Sequence, residues 1–390
     1  MTDAFDVLII GAGPAGGNAG RNAAELGLKT AILEEHKTVG EPVHCGECLS
    51  QLALERQNLK IPDKAISIPV KGVRVIFPNE KSCTVTEPGF VLEKHLFEQW
   101  LANEAQKKGA ELLLDHKALD LKRENGLWKI QTNHGELSAK IVIDASGIQS
   151  IASRKLGLNR RFESVIGIQH EIREIPSDDY LDFFLWPEFA PQGYCWSIPK
   201  SHNRANVGLV TGQKNRAKEF CDAFVKRRKW ENKTIVKTFG GLIPSSGPLP
   251  KTYFDGLMLI GDAAGFTSPL FEGGTHLGLA SGNFAAQVAA KAIGKNNWGS
   301  GALWEYEQLW KKEFPAYHSL MKGKKALYDF SGEELNQMAL LLPKEIGNMG
   351  VADYASVGLK LFGKYPRLVS KGIMDAFQAF KYSRAKYYGW

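Results

Sequence analysis

Residues 5–16, Phe5-Asp-Val-Leu-Ile-Ile-Gly11-Ala-Gly13-Pro-Ala-Gly16, join a short apolar stretch to a turn with the spacing Gly-x-Gly-x-x-Gly. The apolar residues predict a buried strand, and the small and apolar residues of Ala15–Leu26 predict a packed helix after it. A second predicted strand, Thr30–Leu33, ends at Glu34, where dinucleotide-binding folds place a carboxylate that binds ribose. The chain is therefore predicted to open with a Rossmann-type unit.

Each glycine of this turn has its own physical reason. Gly11 permits the tight turn, Gly13 lets the backbone approach a pyrophosphate, and Gly16 lets the helix pack against the strand. The N-terminus of the helix carries a partial positive charge toward the phosphates. We therefore predict that the turn, with Pro14 and Ala15, binds a dinucleotide together with Glu34 and Glu35.

Further along the chain the pattern changes twice. A predicted hairpin delivers a buried strand into Asp144-Ala-Ser-Gly147, and between about Arg161 and Pro250 short strands rich in aromatic residues predict an antiparallel sheet. The strand Gly256–Ile260 then ends in Gly261-Asp262 before a helix, which predicts a second cofactor contact. About 90 mainly helical residues follow.

These patterns predict an α/β protein of three parts. The nucleotide domain comprises residues 1–64, 91–157 and 251–298, and an inserted antiparallel-sheet domain that binds substrate comprises residues 65–90 and 158–250. A helical region covers residues 299–390.

Composition narrows the class of protein. The 390 residues are 44% hydrophobic and 23% charged, which is typical of a globular protein. We expect a cytoplasmic protein, because no apolar run is long enough to span a bilayer, no charged leader precedes the first strand, and five cysteines do not form an even disulfide framework. A nucleic-acid partner is not expected, because no basic stripe lies on a recognisable nucleic-acid fold.

Four motifs in order along the chain resemble those of the FAD-dependent geranylgeranyl reductase family, within the flavoproteins shaped like para-hydroxybenzoate hydroxylase. Besides the glycine-rich turn and Gly261-Asp262, they are Gly40-Glu-Pro-Val-His-Cys45-Gly-Glu47 and Tyr194-Cys-Trp196-Ser-Ile-Pro199. The resemblance covers most of the chain and implies a Rossmann-type FAD-binding domain. It also implies an enzyme that saturates carbon–carbon double bonds of geranylgeranyl or other polyprenyl groups in lipids, by hydride transfer from reduced FAD.

The chain departs from the family at two places. Lys94 stands where an arginine is usual, so it would hold a phosphate as a point charge and not as a planar fork. Ser268-Pro269-Leu-Phe271-Glu272-Gly273-Gly274 replaces a glycine-rich segment of the family. The resemblance implies that Gly273 and Gly274 offer backbone N–H groups to the flavin.

The resemblance also implies site residues. Cys45 and Gly46 would lie beside the flavin, and Cys45, Tyr194 and Trp196 would form the catalytic site. An aromatic-lined, water-excluding tunnel would hold the alkene, and its predicted lining is Phe184, Trp186, Tyr194 and Trp196.

Cys45 and Cys48 form a Cys-x-x-Cys pair. A zinc site would need a second pair of ligands at matching spacing, and none is found, so we expect no bound metal. Two interpretations stay open: Cys45 borders the alkene site, or both residues are inert thiols. The role of Cys48 stays open.

The electron donor and the membrane contact are less determined. Only one Gly-x-Gly-x-x-Gly unit is found, so the flavin is expected to be reduced by NAD(P)H that binds transiently or by reduced ferredoxin. An acidic ferredoxin would suit the net charge of +7 on this chain. The basic and aromatic segment Lys381–Trp390 predicts either a peripheral contact with the cytoplasmic face of a membrane or a tail packed on the body.

Two other classes of enzyme stay open. Tyr194-Cys-Trp196-Ser-Ile-Pro199 is one residue away from the Trp-x-Trp-x-Ile-Pro string of flavin-dependent halogenases, so a monooxygenase or halogenase is the first alternative. An electron-transfer flavoprotein that reduces a quinone is the second, although it commonly carries an iron–sulfur cysteine cluster.

Overall fold

Two eight-stranded sheets form the body of the protein. The computed structural model describes residues 4–159, 163–314, 317–346, 357, 360, 361 and 363–389. The strands in chain order are β1 (Phe5–Ile10), β2 (Thr30–Leu33), β3 (Cys48–Ser50), β4 (Ile66–Ile76), β5 (Ser82–Leu92), β6 (Glu111–Leu113), β7 (Ala118–Glu124), β8 (Leu127–Thr132), β9 (Gly135–Asp144), β10 (Ser164–Arg173), β11 (Tyr180–Phe184), β12 (Tyr194–Lys200), β13 (Arg204–Thr211), β14 (Ile235–Pro244), β15 (Tyr253–Phe254) and β16 (Leu257–Leu259).

Helices cover the sheets and make up most of the C-terminal region. They are α1 (Pro14–Glu25), α2 (Gln51–Arg56), α3 (Lys94–Lys107), α4 (Ile151–Leu156), α5 (Ala217–Arg227), α6 (Thr275–Gly294), α7 (Ser300–Glu313), α8 (Tyr317–Tyr328), α9 (Gly332–Leu341), and two further helices, Pro366–Ser370 and Ile373–Tyr382.

The first sheet has the strand order β15-β16-β9-β1-β2-β6, with the β7–β8 pair attached through β9. Its centre is parallel, and Val7 of β1 lies opposite both Thr30 and Ile141. Strands covered on both faces need continuous apolar runs, which explains why Val7–Ile10 are buried in a row. Helices α1 and α6 cross closely over this sheet, because a Cβ atom on Gly282 would lie 2.4 Å from the carbonyl oxygen of Ala15.

The second sheet has the order β14-β10-β13-β12-β11-β4-β5-β3 and is antiparallel except for the β11–β4 pair. Its successive side chains alternate between two faces. One face packs against α5, and the other faces the first sheet and the C-terminal helices. The short β3, which contains Cys48, pairs with β5 in this sheet and not in the nucleotide-binding one.

The C-terminal helices pack against both sheets. Helix Ile373–Tyr382 lies so close to α8 that a Cβ atom on Gly323 would be 2.1 Å from the carbonyl oxygen of Asp375. The tail beyond it folds back onto the body, where Tyr388 is 2% exposed and its ring stacks on Phe314 at 5.8 Å. Trp390, which belongs to the predicted membrane-contact segment, lies outside the described residues.

The architecture confirms the predicted α/β class, with a Rossmann-type sheet, a largely antiparallel second sheet and C-terminal helices. The domain boundaries stay a prediction. Among the described residues, no helix has the length and apolar character that crossing a bilayer requires.

Candidate active site

A cavity of about 680 Å³ lies between the two sheets. The first sheet and the loops that follow its strands contribute Gly13, Pro14, Ala15, Ala145, Ser146, Gly147, Gly261 and Asp262, followed by Gly273 and Gly274 before α6. The opposite wall is built from the 44–48 loop and the second sheet, with Phe183, Tyr194, Trp196 and Gln169. The cavity therefore joins a nucleotide-binding edge to an aromatic wall.

The N-terminus of α1 opens into this cavity. Gly13 is its N-cap, Pro14 is its first residue, and no side chain caps the helix, so its N–H groups are open to an anion. A Cβ atom on Gly13 would meet nothing within 4 Å, whereas one on Gly16 would lie 1.8 Å from the carbonyl oxygen of Gly11. Gly13 thus leaves space for a ligand, while Gly11 and Gly16 form the supporting turn behind the cavity wall.

Glu34 stands at the end of β2, as predicted, and braces the glycine-rich turn. Its Oε2 accepts a hydrogen bond of 3.0 Å from the backbone N–H of Ala12, and its Oε1 accepts one of 3.0 Å from that of His36. Lone pairs remain for ribose hydroxyls. The next residue, Glu35, does not line the cavity, because its side chain points outward and forms an ion pair of 2.7 Å with Lys117.

Asp262 lies at the C-terminal end of β16, in the 3₁₀ turn Gly261–Ala264. A Cβ atom on Gly274 would lie 3.0 Å from its Oδ1, so the carboxylate and the Gly273-Gly274 backbone share one narrow region of the cavity. Enclosure in the protein raises the pKa of Asp262 to about 6, although the charge of Lys94 opposes the shift. A hydroxyl donor in the cavity would relieve this cost of desolvation.

Lys94 also lines the cavity, but its charge is already compensated. Its Nζ lies 2.5 Å from Oε1 of Glu98 in a buried ion pair. Burial by itself lowers the pKa of Lys94, but the combined effects of Glu98, Cys45 and Glu47 outweigh burial, so the net shift is upward. Lys94 therefore stays a cation beside the predicted phosphate position.

The Cys45–Cys48 loop closes one side of the cavity. The backbone N–H of Glu47 donates a hydrogen bond of 3.2 Å to Sγ of Cys45, and Glu47 itself has a left-handed φ of 74°. Enclosure raises the pKa of the Cys48 thiol well above its usual value, and the neighbouring Cys45 and Glu47 add to the shift. Cys45 therefore has a hydrogen-bond donor at its sulfur, whereas Cys48 is held as a neutral thiol.

A buried ionic network holds this loop, and the sequence reasoning did not identify it. Oε2 of Glu47 accepts hydrogen bonds from Lys200 Nζ at 2.6 Å and Asn206 Nδ2 at 2.7 Å, while Oε1 accepts one from the backbone of Lys94 at 3.0 Å. Lys200 is also 3.1 Å from Glu93. The second sheet thus anchors the cysteine loop through charge-assisted hydrogen bonds.

The aromatic wall brings together Phe183, Tyr194, Trp196 and Phe271. The Tyr194 ring lies 5.4 Å from that of Phe183 and 5.2 Å from that of Phe271, and the Tyr194 hydroxyl donates a hydrogen bond of 2.5 Å to the carbonyl of Phe271. The structure therefore places the predicted Tyr194 and Trp196 in the same cavity as Cys45.

Phe184 and Trp186, which were predicted to line the tunnel, lie on the opposite face of the second sheet. Both rings pack against Phe224 of α5, at 5.1 and 5.8 Å, and neither lines the cavity. The reason is the alternation of side chains along β11, which turns Phe183 inward and its neighbour Phe184 outward. We correct the prediction accordingly: Phe183 takes their place in the lining.

The residues at the nucleotide end fit a flavin dinucleotide. They provide an uncapped helix N-terminus, a glycine without a Cβ atom facing open space, and a partly desolvated carboxylate near two further glycines. Pyrophosphate, ribityl hydroxyls and a flavin ring require these three kinds of partner.

The chain is similar to known proteins over most of its length. A model of the geranylgeranyl reductase catalytic domain matches residues 163–243, and one of FAD-dependent oxidoreductases matches residues 6–155. The digeranylgeranylglycerophospholipid reductase of Methanocaldococcus jannaschii is 33% identical, over 95% of this chain and 97% of that protein.

Two solved structures extend the comparison. A geranylgeranyl bacteriochlorophyll reductase-like protein from Thermoplasma acidophilum superposes with a TM-score of 0.86 at 31% identity, covering 95% of this chain and 98% of that one. A flavin-dependent brominase shares the fold at a TM-score of 0.71 and 19% identity, covering 97% and 99%. The chain belongs to the FAD-dependent geranylgeranyl reductase family.

Proposed function

We propose that the protein is an FAD-dependent oxidoreductase that saturates carbon–carbon double bonds of geranylgeranyl groups in a lipid. The observation that carries this function is a cavity in which the nucleotide-binding edge of the first sheet meets the aromatic wall of the second. Family membership over nearly the whole chain supports it.

FAD, when bound, supplies the hydride for the reduction. The chain would hold its pyrophosphate at the N-terminus of α1 through the turn of Gly11, Gly13 and Gly16. Glu34 would accept ribose hydroxyls, and Asp262 would accept those of the ribityl chain. Gly273 and Gly274 would offer backbone N–H groups to the ring, with the Cys45-Gly46 peptide at its edge, and Lys94 would stand as a cation beside the phosphates. Glu35 stays a predicted member of this set, and its side chain pairs with Lys117 at the surface.

The prenyl chain would extend from the main cavity into a second, apolar one of about 80 Å³. The two cavities share Phe183 and Phe271, and the second continues between β4, β5 and the helix Ile373–Tyr382. Its lining is largely aliphatic and aromatic, which suits an isoprenoid and excludes water. Tyr194 and Trp196 would then hold the double bond in place, since positioning supplies much of the rate.

Cys45 would border the reacting carbon atoms. Its sulfur accepts a hydrogen bond from Glu47 and its carbonyl accepts one of 2.9 Å from Gln169, so both ends of the residue are fixed. Cys45→Ala should slow alkene reduction, whereas Cys48→Ala, which removes a neutral thiol, serves as the matched control.

Electrons would come from reduced ferredoxin or from NAD(P)H that visits the flavin, because one dinucleotide-binding unit is found in the sequence. The net charge of +7 favours an acidic protein donor. Anaerobic titration of the flavin with NADH, NADPH and reduced ferredoxin distinguishes the donors, and rapid reduction by a nicotinamide would remove the ferredoxin hypothesis.

A peripheral membrane contact would bring the enzyme to its lipid. Lys381 and Arg384 lie at the second cavity, where cations would face anionic headgroups, although Arg384 also pairs with Glu87 at 2.7 Å. Flotation with anionic and neutral liposomes tests this contact, and equal absence of binding to both would contradict it.

The activity is tested under anaerobic conditions. The holoenzyme is reduced with dithionite and mixed with a digeranylgeranyl ether lipid, while flavin absorbance and product mass are followed. Reoxidation with a gain of two mass units per double bond supports the function. A flavin that stays reduced until oxygen or quinone is admitted would transfer the assignment to a monooxygenase or an electron-transfer flavoprotein.

A further inference from the structure

Glu272 stands out among the acidic side chains of the main cavity. It lies in the segment between Pro269 and α6, lines the cavity, and is 7% exposed. Its Oε1 is 2.5 Å from Nζ of Lys324 on α8, and its Oε2 is buried with no hydrogen-bond partner among the described residues. A buried carboxyl oxygen without a partner is costly, so it calls for an explanation.

Saturating an alkene requires a proton as well as a hydride, and a dry cavity requires the protein to supply that proton. Three other polar side chains of the cavity are already engaged in hydrogen bonds or ion pairs. The Glu47 carboxylate accepts hydrogen bonds from Lys200 and Asn206, and the Lys94 ammonium is paired with Glu98. The Tyr194 hydroxyl already donates to the carbonyl of Phe271.

The position of Glu272 suits a proton donor better. Glu272 lines the main cavity and directly follows Phe271, which belongs to the aromatic wall and to both cavities. Its charge acts on the hydroxyl of Tyr194 in that wall. Asp262, another carboxyl in the lining, stands with Gly261 and Gly274 at the nucleotide end.

We propose that Glu272 is the general acid that protonates the alkene carbon opposite the one that receives the hydride. The proposal rests on the proposed function. The hydride forms one new C–H bond, the alkene π electrons form the second with the proton from Oε2 of Glu272, and the double bond becomes a single bond. The carboxylate left behind is stabilised by the Lys324 ammonium and regains a proton from solvent when product leaves.

The surroundings of Glu272 are consistent with this role. The charge of Lys324 on α8 acts on Glu272. Glu272 in turn acts on the hydroxyls of Tyr194 on β12 and of Tyr317 and Tyr328 on α8. Burial raises the pKa of Glu272 above its usual value, although the charge of Lys324 opposes the shift. Burial therefore favours the protonated form that a donor needs, and Lys324 favours the product of proton release.

The test compares wild type with Glu272→Gln, which keeps the shape of the side chain and removes the acidic proton. Dithionite-reduced holoenzyme is mixed anaerobically with digeranylgeranyl ether lipid over a range of pH. We expect reoxidation by the lipid to fall about 100-fold or more in the variant. The flavin absorbance spectrum, lipid binding and reoxidation by oxygen should be unchanged. The wild-type rate should fall as pH rises through the pKa of Glu272. The residual rate of the variant should not show this decrease.

Controls separate chemistry from structure. Glu219→Gln changes an exposed glutamate of α5 and should match wild type. Because Glu272→Gln leaves Lys324 without its partner, the double variant Glu272→Gln with Lys324→Met is measured as well and should stay slow. Recovery of the wild-type rate in the double variant, or a single variant within threefold of wild type with an unchanged pH profile, would overturn the proposal. If wild-type enzyme itself fails to reduce the lipid, the proposed function fails and this proposal with it.

Discussion

Nε1 of Trp196 donates a hydrogen bond of 2.9 Å to Oε1 of Gln169, and Nε2 of the same Gln169 donates one of 2.9 Å to the carbonyl of Cys45. One buried amide thus joins the aromatic wall to the cysteine loop. Strand β10 supplies the amide, β12 the indole, and the loop before β3 the carbonyl. The relative position of Trp196 and Cys45 is therefore set by Gln169.

Gln169→Leu removes both hydrogen bonds and replaces the amide by an apolar side chain of similar size. We expect a loss of about 1–3 kcal/mol in the free energy of unfolding, because a buried indole N–H and a carbonyl lose their partner. Alkene reduction should slow more than lipid binding weakens, because Trp196 and Cys45 lose their fixed geometry. Denaturant unfolding and single-turnover reduction measure the two effects. Gln131→Leu, at an exposed position of β8, should leave both near wild type, and equal behaviour of the two variants would contradict the role of Gln169.

The buried ion pair of Glu47 and Lys200 is expected to contribute to the free energy of unfolding. Both side chains are 1% exposed, so Lys200→Met leaves a buried carboxylate without its cation and should cost about 3–5 kcal/mol. Glu47→Gln combined with Lys200→Met should recover part of the loss, because no buried charge is then uncompensated. Lys122→Met, which breaks an exposed pair with Glu124, should leave the free energy of unfolding close to that of wild type. Urea unfolding of the four proteins gives the comparison, and a Lys200→Met effect as small as that of Lys122→Met would refute the argument.

The sequence predicted the nucleotide end of the site far better than the substrate end. The glycine-rich turn and Gly261-Asp262 are local, because a few consecutive residues contain the turn, the helix start and the carboxylate. The anchoring of Glu47 is not local, since Lys200 and Asn206 reach it from strands about 150 residues away. A β12 strand in which every residue is buried also gives no alternation from which its cavity-facing side can be chosen.

The adjacent pair Phe183 and Phe184 tests the assignment of sheet faces. Phe183 contacts Phe271 at 4.9 Å in the cavity wall, whereas Phe184 packs against Trp186 at 4.9 Å beneath α5. Replacing either ring by leucine should lower the free energy of unfolding by about 1–2 kcal/mol, since both are buried. Only Phe183→Leu should change the KM for the lipid or the number of double bonds reduced. Lipid kinetics and product mass spectra would expose an error if Phe184→Leu produced the larger change.

Asp262 should make the free energy of unfolding depend on pH, because enclosure raises its pKa from the usual 3.8 to about 6. A carboxyl whose pKa is raised by folding stabilises the folded state below pH 3.8, and this contribution is lost as pH rises through about 6. Asp262→Asn removes the cost of burying an ionised carboxylate. The FAD-free variant should therefore be about 1–2 kcal/mol more stable than wild type at pH 7, and the difference should shrink toward pH 4. The same variant should bind FAD more weakly, because an amide replaces the carboxylate that is proposed to accept ribityl hydroxyls. Unfolding of the FAD-free proteins at pH 4.5 and 7, with FAD titration at pH 7, measures both effects. The exposed Asp329→Asn is the control, and a pH-independent difference would show that desolvation of Asp262 is not its cause.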